Sequence, residues 1–226
     1  MNRHFDEQLN ALKASLLKMG DGAEWMIAEA TQGLVTSSAD RHAGVFARER
    51  EVNALQIDID EQVIELLALQ HPVAGDLRMA MMCSRMAGEL ERIADQAVNI
   101  CQNTAVVLQN PSPPLQADLG LMAAVVRGMV HDSLDAFVRR DTALAQQVLN
   151  IDDRVDEMKV RLLRDALSCM KRDGGLIDGG LALILVSRNL ERVGDHATNI
   201  AEEVIYLAQG RDVRHHHEVR RRPDGA

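Results

Sequence analysis

The sequence contains an internal repeat, and this repeat limits the possible architectures more strongly than any other feature. The segment LERIADQAVNIC, from Leu90 to Cys101, returns as LERVGDHATNIA from Leu190 to Ala201, with seven of the twelve positions identical. A repeat displaced by one hundred residues predicts two similar structural units in series. With 226 residues, the chain is long enough for two units that each bury a core.

The composition indicates that both units are helical. Hydrophobic residues make up 46% of the chain but aromatic residues only 2%, so the core depends on Leu, Ala, Val and Met. These apolar residues recur at intervals of three and four between the prolines, as they do along one side of a helix. We therefore predict an all-α fold of two tandem, pseudo-symmetric three-helix bundles with six long helices.

The prolines place the boundaries of the two bundles. Proline costs about 3 kcal/mol inside a helix, and the segment PSPP, from Pro111 to Pro114, falls between the halves. We predict a first bundle over residues 1–110 and a second bundle over residues 115–210. Residues 211–226, which are rich in arginine and histidine, are predicted to form a flexible basic tail.

Several residues are typical of helix ends. Ser38 is predicted to cap the second helix, and Asp141, which stands 103 residues later, is predicted to cap the fifth helix. The glycines of segment 171–180 predict a loop before the last helix. Gly210 is predicted to end that last helix.

Acidic and amide residues stand four positions apart in both repeats. They are Glu49, Asn53, Glu91, Asp95 and Asn99 in the first repeat and Asp152, Asp156, Glu191, Asp195 and Asn199 in the second. On a helix this spacing places oxygen atoms along one side, where bare carboxylates repel one another and attract hard cations. A bound cation, a basic partner or a raised pKa relieves that repulsion. The simpler interpretation is a solvated acidic face beside neighbouring arginines.

Other features exclude several classes of function. The net charge of −9 disfavours non-specific binding to nucleic acid. The sequence lacks the motifs GxxxxGK[ST], HExxH and GxSxG, so we predict that the protein is not an enzyme. No apolar run approaches the roughly 20 residues that cross a bilayer. Three cysteines without a CxxC pair favour a reduced, cytoplasmic compartment.

Four segments together resemble the PhoU family. LERIAD follows PVAGDLR (Pro72 to Arg78) in the first repeat, and LERVGDHATNIAEEVIYL follows DDRVDEM in the second. The resemblance extends from about Phe5 to Arg214. It implies two three-helix bundles and a negative regulator of the phosphate-starvation response and of phosphate uptake. Such a regulator is expected to be an adaptor between the ATPase subunit of the phosphate ABC transporter and a sensor histidine kinase, reaching the membrane only through these partners.

The resemblance also implies a cofactor. Some family members bind a divalent metal or an iron cluster through paired acids. By position, the ligands in this chain are Glu49, Glu91, Asp95, Asp152, Asp156, Glu191 and Asp195. Asn53 replaces a carboxylate, so the first site is expected to be weaker, and Asn53, Asn99 and Asn199 are secondary candidates for ligands or for their supporting hydrogen bonds. We expect a homodimer. The alternative function is a carboxylate-cluster metal-binding protein with hydrolase or metal-buffering activity.

Overall fold

The computed structural model describes residues 3–70, 72–73 and 75–210. Its helices are α1 (Arg3–Val35), α2 (His42–Gln70), α3 (Gly75–Gln109), α4 (Gln116–Arg139), α5 (Thr142–Arg172) and α6 (Ile177–Gln209), with one 3-10 turn at Gly174–Leu176. No strand occurs in these ranges, so the predicted all-α class with six long helices is confirmed. The tail predicted for residues 211–226 lies outside the described residues.

The helices form two bundles that share one core. Helices α1, α2 and α3 pack on one another, and so do α4, α5 and α6. The most extensive contact between any two helices joins α3 to α6, and α1 also packs on α4. Helices α1, α3, α4 and α6 are therefore the inner layer, with α2 and α5 attached to its two flanks. The buried apolar side chains form one continuous cluster through both repeats.

Two of the predicted helix ends are confirmed. A carboxylate oxygen of Asp141 accepts hydrogen bonds from the backbone N–H groups of Ala143 and Leu144, at 2.9 and 3.0 Å. This is the bonding of an N-cap, which satisfies donors that have no partner within the helix. Gly210 has a φ of 65° and donates its N–H to the carbonyl oxygen of Tyr206 at 2.8 Å, so it ends α6 as predicted.

The predicted cap at Ser38 is wrong. Helix α2 begins at His42, and the hydroxyl of Ser38 accepts a hydrogen bond from the backbone N–H of Asp40 at 3.2 Å instead. The backbone N–H of Ser38 donates to the carbonyl oxygen of Gly33 at 2.9 Å. Ser38 therefore belongs to the turn that closes α1, and the segment 39–41 separates it from the start of α2.

The predicted loop over segment 171–180 is also partly wrong, because α6 already begins at Ile177. Two of the four glycines there, Gly179 and Gly180, serve close packing. A Cβ atom on Gly179 would overlap the carbonyl oxygen of Pro111, and one on Gly180 would overlap the side chain of Met170. Glycine lets α6 approach the joint between the bundles at these points. Among the described residues, no helix is both long enough and apolar enough to cross a membrane.

The substitution Gly179→Ala is expected to lower the free energy of unfolding by about 1–3 kcal/mol, because the added methyl group meets rigid backbone. Gly128→Ala is the matched control. Gly128 is exposed in α4 with no atom near its missing Cβ, so alanine there should raise the free energy of unfolding by about 0.5–1 kcal/mol. Urea unfolding followed by circular dichroism measures both values. Similar effects at the two positions would contradict the packing argument.

Candidate functional site

The fold brings the predicted acids together in two clusters at equivalent places. We call Glu49, Asn53, Glu91 and Asp95 the first cluster, and Asp152, Asp156, Glu191 and Asp195 the second cluster. The first cluster lies where α2 packs on α3, and the second lies where α5 packs on α6. Each cluster therefore joins an outer helix to an inner helix of the same bundle.

In the first cluster, raised pKa values of two acids and a hydrogen bond from Asn53 reduce the repulsion between carboxylates. The side-chain amide of Asn53 donates a hydrogen bond of 2.6 Å to Glu49. Desolvation raises the pKa of Glu91, and the charges of Asp95 and Glu49 raise it further, while Arg92 opposes them. Desolvation and the charge of Glu49 likewise raise the pKa of Asp95. When these acids are all ionised, their negative charges repel one another.

The second cluster contains a basic side chain that the sequence patterns did not single out. The Nζ atom of Lys159 lies 2.8 Å from Oε1 of Glu191 and 3.0 Å from Oδ1 of Asp156. Desolvation lowers the pKa of Lys159, but its hydrogen bonds to Glu191 and Asp156 outweigh that effect and raise the pKa overall. The lysine therefore connects α5 to α6 as an ammonium ion.

Asp195 is a strongly perturbed acid of the second cluster. Its pKa is raised to about 6, first by desolvation and then by the charges of Glu191, Asp152 and Asp156. Lys159 bonds to Glu191 and Asp156, so Asp195 still faces several negative charges. The carboxyl group of Asp195 therefore titrates close to neutral pH.

The carboxylates are gathered by the fold but do not form a ready-made metal site. Within the described ranges, no three His, Cys, Asp or Glu side chains stand at metal-ligating spacing. The two clusters have the oxygen chemistry that hard cations prefer, but not the converged geometry. Metal binding by the predicted ligands stays a prediction.

The two secondary asparagines of α3 and α6 occupy different surroundings. The side-chain amide of Asn199 donates to Oε2 of Glu89 on α3 at 3.0 Å. The backbone carbonyl of Asn99 accepts a hydrogen bond of 2.7 Å from the side chain of Asn103. Asn199 thus takes part in the contact between the bundles, a role that its position in the repeat did not indicate.

Polar residues fix how α3 lies against α6. Nδ1 of His196 is 2.8 Å from Oε2 of Glu89, and Arg85 is 3.1 Å from Glu203. Residue numbers rise along α3 as they fall along α6 in these pairs, so the two helices run antiparallel. Desolvation alone would raise the pKa of Glu89, but hydrogen bonds from His196 and Asn199 lower it overall. Glu89 is therefore an ionised, largely buried acid at the centre of the molecule.

The pseudo-symmetry of the two repeats gives the contact between Glu89 and His196 an equivalent position, but the described residues there do not form the same contact. The counterparts of Glu89 and His196, displaced by one hundred residues, are Asn189 and Gln96. Gln96 is buried, and its side-chain amide donates to the carbonyl oxygen of Arg92 on its own helix. The change from Glu89 to Asn189 and the change from Gln96 to His196 are signals in the sequence that the two sides differ.

Tandem three-helix bundles with an acidic cluster at each outer helix seam define a class of all-α repeat proteins. The family model described as the PhoU domain matches residues 16–104 and 119–204, one match in each repeat. The chain therefore belongs to the PhoU family.

Relatives match nearly the whole chain. It is 34% identical over 209 residues to the phosphate-specific transport system accessory protein PhoU homolog of Zymomonas mobilis, covering 92% of this chain and 88% of that protein. It is 31% identical over 219 residues to the Escherichia coli K12 accessory protein PhoU, covering 95% and 91%. The crystal structure of PhoU from Pseudomonas aeruginosa superposes with a TM-score of 0.88 at 33% identity, covering 92% of this chain and all of that one.

Asp195→Asn is expected to change the pH dependence of stability. Asp195 has a pKa of about 6 when folded and an ordinary value near 3.8 when unfolded, so wild-type stability falls as pH rises between these values. The amide removes that fall, and the variant should gain on the wild type as pH rises. Because Asp195 is exposed, screening should limit the gain to about 1 kcal/mol or less. Urea unfolding in EDTA at about pH 4.5 and 7.5 measures it, and a pH-independent difference would contradict the assignment.

His196→Ala is expected to lower the free energy of unfolding by about 2 kcal/mol, because it removes the 2.8 Å hydrogen bond of His196 to Oε2 of the largely buried Glu89 carboxylate, which keeps Asn199 on Oε2 and Arg92 on Oε1. His196→Gln is the matched control, since glutamine occupies the equivalent position, Gln96, and its amide can still donate to Glu89. The control should retain most of the stability in urea unfolding at neutral pH. Equal losses in the two variants would show that ring packing, rather than the hydrogen bond, matters.

Proposed function

We propose that this protein is an accessory regulator of phosphate-specific transport and a negative regulator of the phosphate-starvation response. The observation that carries this proposal is the match to PhoU accessory proteins over 92–95% of the chain, which includes both repeats and their joint. In this role the protein is a cytoplasmic adaptor. It links the ATPase subunit of the phosphate transporter to a sensor histidine kinase.

An adaptor needs surfaces that bind other proteins, and a groove between α4 and α5 supports this role. We call it the second groove; its volume is about 680 Å³, and it is lined by Leu121, Ala124, Val125, Arg154, Glu157, Met158 and Arg161. Leucine, valine and methionine form an apolar floor that a partner helix can cover. The exposed arginines stand at its edge, where they select for acidic residues on the partner.

A smaller groove lies at the equivalent place in the first bundle. This first groove, between α1 and α2, has a volume of about 280 Å³ and is lined by Lys18, Gly22, Arg48, Glu51, Val52, Ala54, Leu55 and Asp58. At the displacement of 103 residues, Glu51 corresponds to Arg154 and Asp58 corresponds to Arg161. The sign of the charge is therefore reversed at two equivalent positions.

The reversed charges favour different partners for the two bundles. A partner with an acidic helix edge is attracted more to the second groove than to the first, where Glu51 and Asp58 offset the charges of Lys18 and Arg48. Two bundles with unlike surfaces suit a protein that holds two different partners at once. Control of the kinase then follows from differential affinity, because a partner that binds one kinase state more tightly shifts the population toward that state.

Deletion of the gene is expected to raise alkaline phosphatase activity in cells grown in ample phosphate, and the intact protein should restore low activity. The physical reason is that the kinase loses the contact that favours its repressive state. Alkaline phosphatase assays of the deletion strain and the rescued strain measure this. Activity that stays low after deletion would count against the regulator and favour the metal-binding hydrolase or buffering alternatives.

The double substitution Arg154→Glu/Arg161→Glu tests the second groove in the same rescue assay. It should abolish repression, because it replaces two positive charges by two negative charges at the edge that faces the partner, a change of four units. Lys171→Glu/Arg172→Glu, which makes the same change of charge at exposed residues that line neither groove, is the matched control and should repress normally. Circular dichroism and urea unfolding of both proteins exclude a folding defect. Normal repression by the Arg154→Glu/Arg161→Glu protein would remove the second groove from the proposal.

A further inference from the structure

The two acidic clusters differ in one neighbouring residue. Lys159 contacts Asp156 on its own helix and Glu191 on α6, and about a third of its side chain is exposed. At the displacement of 103 residues, the first repeat has Gln56 in this position. The second cluster therefore contains a cation of its own, whereas the first cluster has a neutral amide at the equivalent place.

The ammonium group of Lys159 occupies the oxygens that a metal ion would use. A lysine side chain has an ordinary pKa near 10.4 and is a compact positive charge with three donors. Two of those donors are directed at carboxylates from two different helices, at 3.0 and 2.8 Å. A divalent cation bound by Asp156 and Glu191 would break both hydrogen bonds and would lie within a few ångströms of the ammonium group, where like charges repel strongly.

We propose that Lys159 is the built-in counter-ion of the second cluster and that it excludes divalent cations from that cluster. The carboxylates of the second cluster match the cation-binding pattern of the sequence. However, Lys159 forms salt bridges with two of them and so links α5 to α6. Removal of the ammonium group converts the second cluster into a divalent-cation site. Glutamine is the appropriate replacement, because it is the residue of the first repeat at this position.

The test is Mn²⁺ binding to the purified full-length protein, measured by isothermal titration calorimetry and by electron paramagnetic resonance of free Mn²⁺. Lys159→Gln should bind Mn²⁺ at least about tenfold more tightly than the wild type, or bind one additional ion. Lys159→Arg, which keeps the charge, should behave like the wild type. The double variant Lys159→Gln/Asp195→Asn should lose the gain, because the new site depends on the carboxylates of the second cluster.

Two results would overturn the proposal. One is Lys159→Gln protein that folds, by circular dichroism, and binds no more Mn²⁺ than the wild type. The other needs no lysine variant: Asp195→Asn in the wild-type background should leave Mn²⁺ binding unchanged, and a clear loss would show that the second cluster binds the ion with Lys159 in place. This second result decides the matter even if Lys159→Gln proves unstable. Neither measurement depends on the proposed adaptor function, which is read in cells by alkaline phosphatase.

Discussion

The packing of α3 against α6 is the contact on which the rest of the molecule depends. It joins two bundles into one core, and its largely buried pair of Glu89 and His196 forms a polar contact between the two helices. Helix α3 carries two residues of the first cluster, and α6 carries two residues of the second cluster. The same contact therefore fixes the positions of the two clusters relative to each other. His196 makes a small contribution to the pKa of both Glu91 and Asp195, so the two clusters share an electrostatic neighbour.

Repulsion between neighbouring carboxylates is the second constraint on the structure, and the two repeats reduce it in different ways. The first cluster raises the pKa of Glu91 and Asp95 and uses the neutral side chain of Asn53. The second cluster has a full set of four carboxylates, and Lys159 offsets part of the charge. Duplication thus supplied the same scaffold twice, and single substitutions at equivalent positions gave each copy its own electrostatics. The reversed charges of the two grooves have the same origin.

Local sequence signals predicted the helix ends at Asp141 and Gly210. Asp141 caps α5 as expected, because that helix begins at the next residue, Thr142. Ser38 does not cap α2, because that helix begins only at His42, and Gly179 and Gly180 pack closely within α6 rather than forming a loop. At these two glycines a close contact with another segment of the chain overrode the local preference of glycine for loops. The repeat drew attention to the acids of each cluster, which interact electrostatically in the structure, and their role as metal ligands stays a prediction.

The sequence by itself determined the all-α class, the two bundles and the membership of each acidic cluster, since these follow from apolar periodicity and from the repeat. Only the tertiary structure decided that α3 packs on α6, that Glu89 meets His196 and that Lys159 bridges α5 and α6. The physical reason is that periodicity states which side of a helix is buried but not which helix covers it. The partner of a side chain is set by the rotation and crossing of two helices, and these depend on the packing of the whole core.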